Sequence, residues 1–207
     1  MQEPEHLGRR SIRLKGYDYT RAGGYFVTVV TFQQECLFGE IGNGEMRINA
    51  LGRIVVECWR AIPEHFPNAD VDAFVVMPNH VHGIVFIHEN DGRTVASPSA
   101  VRAQHAAPLH APLHEPLRGM TQNVKPGSLG AIVRSFKSAV TRRAGRELDS
   151  ANIWQRNYYE HIVRNDREYE RIAGYILANP VNWNKDGENQ KNTTSAEEIG
   201  IVEGEKS

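Results

Sequence analysis

A chain of 207 residues with 40% apolar and 24% charged side chains has the makeup of one globular domain of ordinary size. No apolar run approaches the ~18 residues of a membrane span, and no basic start followed by an apolar stretch marks a secretory leader, so the expected location is cytoplasmic. The formal net charge of -1 conceals a segregation, with eight Lys or Arg against three acids between Lys125 and Arg164, and six acids against three bases beyond Trp183. Cys36 and Cys58 form neither a CxxC pair nor a disulfide framework and are expected to be reduced and buried.

Residues 1–24 are polar, contain Arg9, Arg10 and Arg13, and read as a basic arm. The stretch YFVTVVTF, Tyr25 to Phe32, is rich in β-branched and aromatic residues and predicts the first strand. Gly42-Asn43-Gly44 predicts a turn between short strands at Phe38–Ile41 and Met46–Ile48. Asn49 is a plausible N-cap for a helix reaching about His65, because Ile54, Val55, Cys58, Trp59 and Ile62 recur at helical spacing and Pro67 closes the run.

Two apolar runs come next, Ala73–Met77 and Ile84–Ile87, separated by the turn residues Pro78 and Asn79 and by the segment HVHG. Alternate side chains of a strand share a face, so His80 and His82 point the same way while Val81 and Gly83 point the other. That spacing is a chelating geometry, and it equally describes two histidines at a strand end beside solvent. Residues 88–127 then change character to Ala, Pro, His, Ser and Gly, with the tandem APLHAPLHEPLR at 107–118. Such a composition buries too little apolar surface to offset chain entropy and is expected to be a mobile insertion within one domain, its His105, His110 and His114 being solvated repeat residues.

From Ser128 a helix is predicted to about Arg143, with Leu129, Ile132, Val133, Phe136 and Val140 on its apolar face and Arg134, Lys137 and Arg142 on its polar side. Asn152 to Val163 reads as a strand suited to a sheet edge. Asn165 and Glu168 make a capping-box pattern opening a last helix that Pro180 stops. In it Tyr175 and Asn179 are one turn apart and point at the same place. Residues 184–207 are expected to be an acidic, disordered tail.

Two histidines on one strand, a tyrosine with an amide one turn later, and basic surface nearby fit phosphoryl chemistry on nucleic acid. A divalent cation held by imidazoles and an amide oxygen screens and polarises a phosphodiester, and a tyrosine oxygen attacking phosphorus gives a covalent ester that keeps the bond energy for rejoining. Tyr158 and Tyr159 compete for the nucleophile's role, although adjacent residues of a strand face opposite ways.

The segments VVMPNHVHGIVFI, GSLGAIVRSFKSAVTRRAG and IWQRNYYEHIVRNDREYERIAGYILANPVNW, in this order, resemble the single-tyrosine transposases with a His-hydrophobic-His motif, and most closely the REP-associated tyrosine transposases. The resemblance runs from about Tyr17 to Trp183. It implies an α+β, ferredoxin-like α/β sandwich in which a central antiparallel sheet carries the histidines and helices pack on one face, over a catalytic domain at 25–183. It further implies His80 and His82 as metal ligands, Asn179 as the third ligand, Tyr175 as nucleophile, and Mg²⁺ or Mn²⁺ as the cofactor. Imidazole-rich sites by themselves favour softer ions such as Zn²⁺.

The implied reaction is cleavage and rejoining of single-stranded DNA near hairpins through a 5′-phosphotyrosine. The alternative is a catalytically inactive DNA- or RNA-binding protein on the same fold, and a third reading is a nuclease that uses water and forms no adduct. Single-stranded or hairpin DNA is the expected partner, held through Arg134, Lys137, Arg156 and Arg164 and by Arg9, Arg10 and Arg13 of the arm, with aromatic stacking on unpaired bases. The protein is then a monomer or homodimer, associated with the nucleoid when bound to DNA.

Overall fold

The computed structural model describes residues 17–89 and 124–189. Among them the elements follow as β1 (Gly23–Val30), β2 (Gly39–Gly42), β3 (Glu45–Ile48), α1 (Ala50–Arg60), α2 (Ile62–His65), β4 (Ala69–Val76), β5 (His80–Ile87), α3 (Leu129–Leu148), β6 (Tyr159–Val163) and α4 (Asp166–Ala178). β2 and β3 form a separate hairpin whose turn residues Asn43 and Gly44 both have positive φ, the conformation that favours Asn-Gly. The other four strands make one antiparallel sheet in the order β4-β5-β1-β6. With α1 between β1 and β4 and α3 between β5 and β6, this is the expected ferredoxin-like arrangement.

The alternation of β1 assigns the two faces. Tyr25, Val27 and Val29 are fully buried and share a core with Val81, Val85 and Ile87 of β5, Ile54 and Trp59 of α1, and Ile132 and Phe136 of α3. Trp59 lies against the sheet at Gly83, where an added Cβ would come within 2.3 Å of the indole ring. The ring stacks on Phe74 and meets Phe136 edge-on. On the opposite face Phe26 and Ile84 pack against Ile172 and Ile176 of α4. Helices α1 and α3 thus cover one face of the sheet. The fourth helix is an addition on the other, over the face that carries both histidines.

Cys58 is buried as expected, but Cys36, beside the 3-10 turn after β1, is exposed. Several boundaries also differ from expectation. The helix foreseen over 49–65 is two, because α1 ends at Arg60 and Pro63 enters the first turn of a short α2; its N-cap is as expected, Asn49 accepting from the Gly52 N–H. Helix α3 continues past Arg143 to Leu148, where Asp149 ends it in the left-handed conformation. The strand expected over 152–163 begins only at Tyr159; before it the chain is irregular, apart from an isolated bridge of Trp154 to Thr31. Asn165 caps α4 by accepting from the Glu168 N–H.

The expected disordered tail is corrected for its first residues: 184–189 turn back onto the sheet, and Asp186 and Asn189 are buried. Within the expected arm, Tyr17 and Tyr19 pack on the core. Arg9, Arg10 and Arg13, the repeat of the insertion and the chain from 190 onward lie outside the described residues. No helix among the described residues is long and apolar enough to cross a membrane.

Candidate metal and tyrosine site

The site begins in the turn before β5. The Asn79 side chain is fully buried, and its Nδ2 donates to the carbonyl oxygens of Gln34 (3.1 Å) and Glu188 (2.6 Å). Its Oδ1 is thereby turned toward His80 Nδ1, 2.8 Å away. A carbonyl oxygen only accepts, so His80 Nδ1 carries the proton and Nε2 presents a lone pair. That Nε2 is buried with no hydrogen-bond partner, and the nearest carboxylate oxygen, Asp186 Oδ2, is 3.8 Å away.

His82 is held in the same manner. Its Nδ1 is 2.8 Å from the Thr28 hydroxyl on the neighbouring strand, and its Nε2 is 3.3 Å from the Tyr175 hydroxyl. Both rings are therefore oriented through one nitrogen with the other aimed inward, as ligating histidines are. Burial pushes both imidazoles down to about 3, and for His82 the neighbouring His80 adds to this while Asp186 opposes it. They are neutral over the ordinary pH range, which is the form that binds a metal.

Helix α4 supplies the remaining groups. Tyr175 is 48% exposed, with its ring edge-on to Phe26. Its phenol is pushed up by burial and by the Asp186 charge, and a hydrogen bond from Asn179 works the other way. Asn179, the C-cap of α4, is 2% exposed and its Oδ1 has no hydrogen-bond partner. Beyond it a 3-10 turn at Trp183–Lys185 carries the chain back over the histidines, where Asp186 Oδ1 accepts from the Glu188 N–H and Asn189 Nδ2 donates to Trp183 O.

The ligand atoms of His80, His82 and Asp186 all lie within 4.8 Å of one another, and all three residues are buried. Two neutral imidazoles, a buried carboxylate, and a buried amide oxygen without a donor make a set of groups that a cation would satisfy. This group can bind a metal. Asp186 was absent from the sequence reading because it sits in a polar, acidic segment. The available signal was Trp183, an aromatic residue just ahead of it that a solvated tail does not need.

Beside the histidines runs a cleft of about 1200 Å³. Its floor is the even-numbered side of β1 and its continuation, Phe26, Thr28, Val30 and Phe32. Of the cations foreseen for DNA, Arg156 lines it. Lys137 reaches it from behind: its ammonium donates to the carbonyl oxygens of Gln155, Arg156 and Asn157, and burial pushes it down to about 8. Arg134 is exposed on α3, which packs on the other face of the sheet, and Arg164 is exposed in the link from β6 to α4; neither lines the cleft. Arg171, one turn before Tyr175, does line it and was not foreseen. Tyr158 and Tyr159 both border the cleft, but it is the Tyr175 hydroxyl that reaches His82.

No protein-family model matches the chain. A Haemophilus influenzae protein of undescribed function is 43% identical over 178 residues, which cover 86% of this chain and 91% of that one. A second Haemophilus influenzae protein, provisionally described as a REP-associated tyrosine transposase, is 24% identical over 164 residues, covering 79% of this chain and 73% of its own. In three dimensions the chain resembles a REP-associated tyrosine transposase solved bound to a REP hairpin, with a TM-score of 0.50 and 20% identity over 80% of this chain and 70% of that one. At that level of identity the likeness shows a shared fold. The expected α+β fold is present, and His80, His82, Tyr175 and Asn179, distant in the sequence, come together beside the sheet.

Proposed function

We propose that this protein is a REP-associated tyrosine transposase, a metal-dependent enzyme that cleaves and rejoins single-stranded DNA at hairpin sequences, with Tyr175 as nucleophile. The observation that carries the reading is the 3.3 Å approach of the Tyr175 hydroxyl to His82 Nε2, beside the inward lone pair of His80 and the buried Asp186. A structural tyrosine has no need of that position, and a binding module has no need of buried acceptors without donors.

His80, His82 and Asp186, with Asn179 at the helix end, would hold the ion. Bound there, Mg²⁺ or Mn²⁺ would supply charge screening and polarisation of the phosphodiester. The carboxylate adds a hard oxygen donor to the imidazoles, which moves the site toward such ions and away from a purely soft preference.

In the reaction Tyr175 Oη forms a bond to phosphorus as the bond to the 3′ oxygen breaks. The 3′ oxygen leaves as a hydroxyl, taking up a proton, and the 5′ phosphate remains on the tyrosine. Attack by another 3′-OH reverses these events and joins the strands. Tyr175 must lose its proton on attack, and burial raises its affinity for that proton in the ion-free site. Half-exposure of the ring leaves the oxygen open to the cleft. Phe26 meets the ring edge-on and helps to fix its direction.

The test is incubation with hairpin oligonucleotides copied from DNA flanking the gene, with Mn²⁺, followed by a denaturing gel. A covalent protein-DNA product that disappears in Tyr175→Phe is expected. Strand cleavage without any adduct would point to a water-using nuclease, and an undiminished adduct in Tyr175→Phe would remove Tyr175 from the role.

A further inference from the structure

Three aromatic side chains stand out among the exposed large hydrophobics of the described residues: Phe32 at 43%, Tyr159 at 40% and Tyr175 at 48%. All three line the one cleft beside the histidines, whereas the aliphatic members of that set, Ile48, Leu148, Leu177 and Val181, do not. From this we infer that Phe32 and Tyr159 are stacking platforms for unpaired bases of single-stranded DNA on either side of the tyrosine site. The inference deepens the proposed function, since it rests on reading the cleft as the DNA path.

Each ring is held in place by the fold. Tyr159 opens β6 opposite Thr28, and Thr28 is in turn opposite His82, so one row across three strands runs from the proposed ligand to the platform. Phe26 meets the Tyr159 and Tyr175 rings edge-on, each at 6.3 Å, and so separates the platform from the nucleophile by one ring. Phe32 stands at the other end of the same floor, in a turn where the next two residues, Gln33 and Gln34, both have positive φ. Side chains rarely adopt that backbone, and here it is tied down from several directions. Thr31 N donates to Asn79 O, Phe32 N to Ile153 O, Asn79 Nδ2 to Gln34 O, and Gln34 Nε2 to Glu188 Oε2. The turn that orients His80 through Asn79 is thus the turn that holds Phe32 out in the cleft.

The occupant follows from chemistry. Every base offers a π face when unpaired and none when stacked in a duplex, so half-exposed rings in a groove select single strands without selecting sequence. Arg156 and Arg171 line the same cleft and are placed to meet phosphates, while the cleft's acids, Asp186 and Glu188, lie at the metal end and are engaged there in hydrogen bonds.

The experiment is fluorescence anisotropy with EDTA present, so that no cleavage competes. Two labelled strands are used, an oligothymidylate about 15 nucleotides long and an abasic strand with the same phosphates. The wild type is expected to bind the thymidylate better than the abasic strand. Phe32→Ala and Tyr159→Ala should each weaken thymidylate binding by ~10-fold or more and leave abasic binding unchanged. Phe32→Tyr and Tyr159→Phe should restore it. Equal binding of the two strands by the wild type, unchanged affinity in both Ala variants, or equal loss in the conservative variants would overturn the inference. Base-dependent binding without a Tyr175 adduct would keep the platforms and remove the enzyme reading; an adduct with base-independent binding would do the opposite.

Discussion

The hydroxyl of Tyr175 stands 3.3 Å from Nε2 of His82, a residue on the central sheet 93 positions earlier in the chain. The proposed chemistry gives the two separable roles. Tyr175→Phe should keep the Mn²⁺-induced rise in melting temperature and lose the covalent product. His82→Ala should lose both, because it removes a donor as well as the tyrosine's neighbour. With metal at a hundred times its dissociation constant, the stabilisation lost is about 2.7 kcal/mol. A full yield of adduct from His82→Ala would contradict the assignment.

Asp186 supplies the one negative charge of the buried acceptor cluster. Asp186→Asn keeps the shape and removes that charge, so Mn²⁺ binding followed by calorimetry should weaken by at least ~10-fold. Unchanged affinity would leave the histidines and Asn179 as the whole donor set.

Gly83 is needed for packing. A methyl group there would meet the Trp59 ring at 2.3 Å, with Phe74 and Phe136 behind it. Gly83→Ala should therefore destabilise the fold by about 1–3 kcal/mol in a urea titration, and shift His82 with it. A neutral result would mean that the indole relocates at little cost.

The Tyr169 hydroxyl ties α4 to the sheet by donating to Asp72 Oδ2 at 2.7 Å. That hydrogen bond, with a smaller contribution from burial, pushes Tyr169 up to about 12 from the ordinary 10.0. The folded chain then holds a proton that the unfolded chain releases first. The bond's stabilisation is fully present below pH 10.0 and is lost as the pH rises toward about 12. Tyr169→Phe should lower stability by about 1 kcal/mol at neutral pH and flatten this alkaline decline. Denaturation curves taken from neutral to alkaline pH check both.

Lys137 and Arg156 should differ in how they affect DNA binding. Arg156 lines the cleft and is free to neutralise a phosphate, so Arg156→Ala should lower the slope of log affinity against log salt by about 0.7 for a single strand. Lys137 spends its donors on the backbone of 155–157. Lys137→Met should weaken binding through a loosened loop while leaving that slope unchanged; a fall equal to that of Arg156→Ala would place its ammonium on the DNA.

Local pattern was enough to recognise the strand alternation of β5 that puts His80 and His82 on one face, the helical turn that aligns Tyr175 with Asn179, and the caps at Asn49 and Asn165; the ferredoxin-like sheet was legible through the family resemblance. These depend on neighbours a few residues apart, and periodicity records them. Three-dimensional contacts between distant segments assigned the rest. Nothing local distinguishes Lys137, whose charge is turned to three carbonyls, from Arg134, whose charge is exposed. Nothing in an acidic, polar segment announces that Asp186 is buried against His80, since that depends on where Trp183 packs and on the Asn79 amide donating to Glu188 O. The tail looked solvated by composition, but the hydrogen bonds from Asn79 Nδ2 to Glu188 O and from Gln34 Nε2 to Glu188 Oε2 hold its start across the histidines.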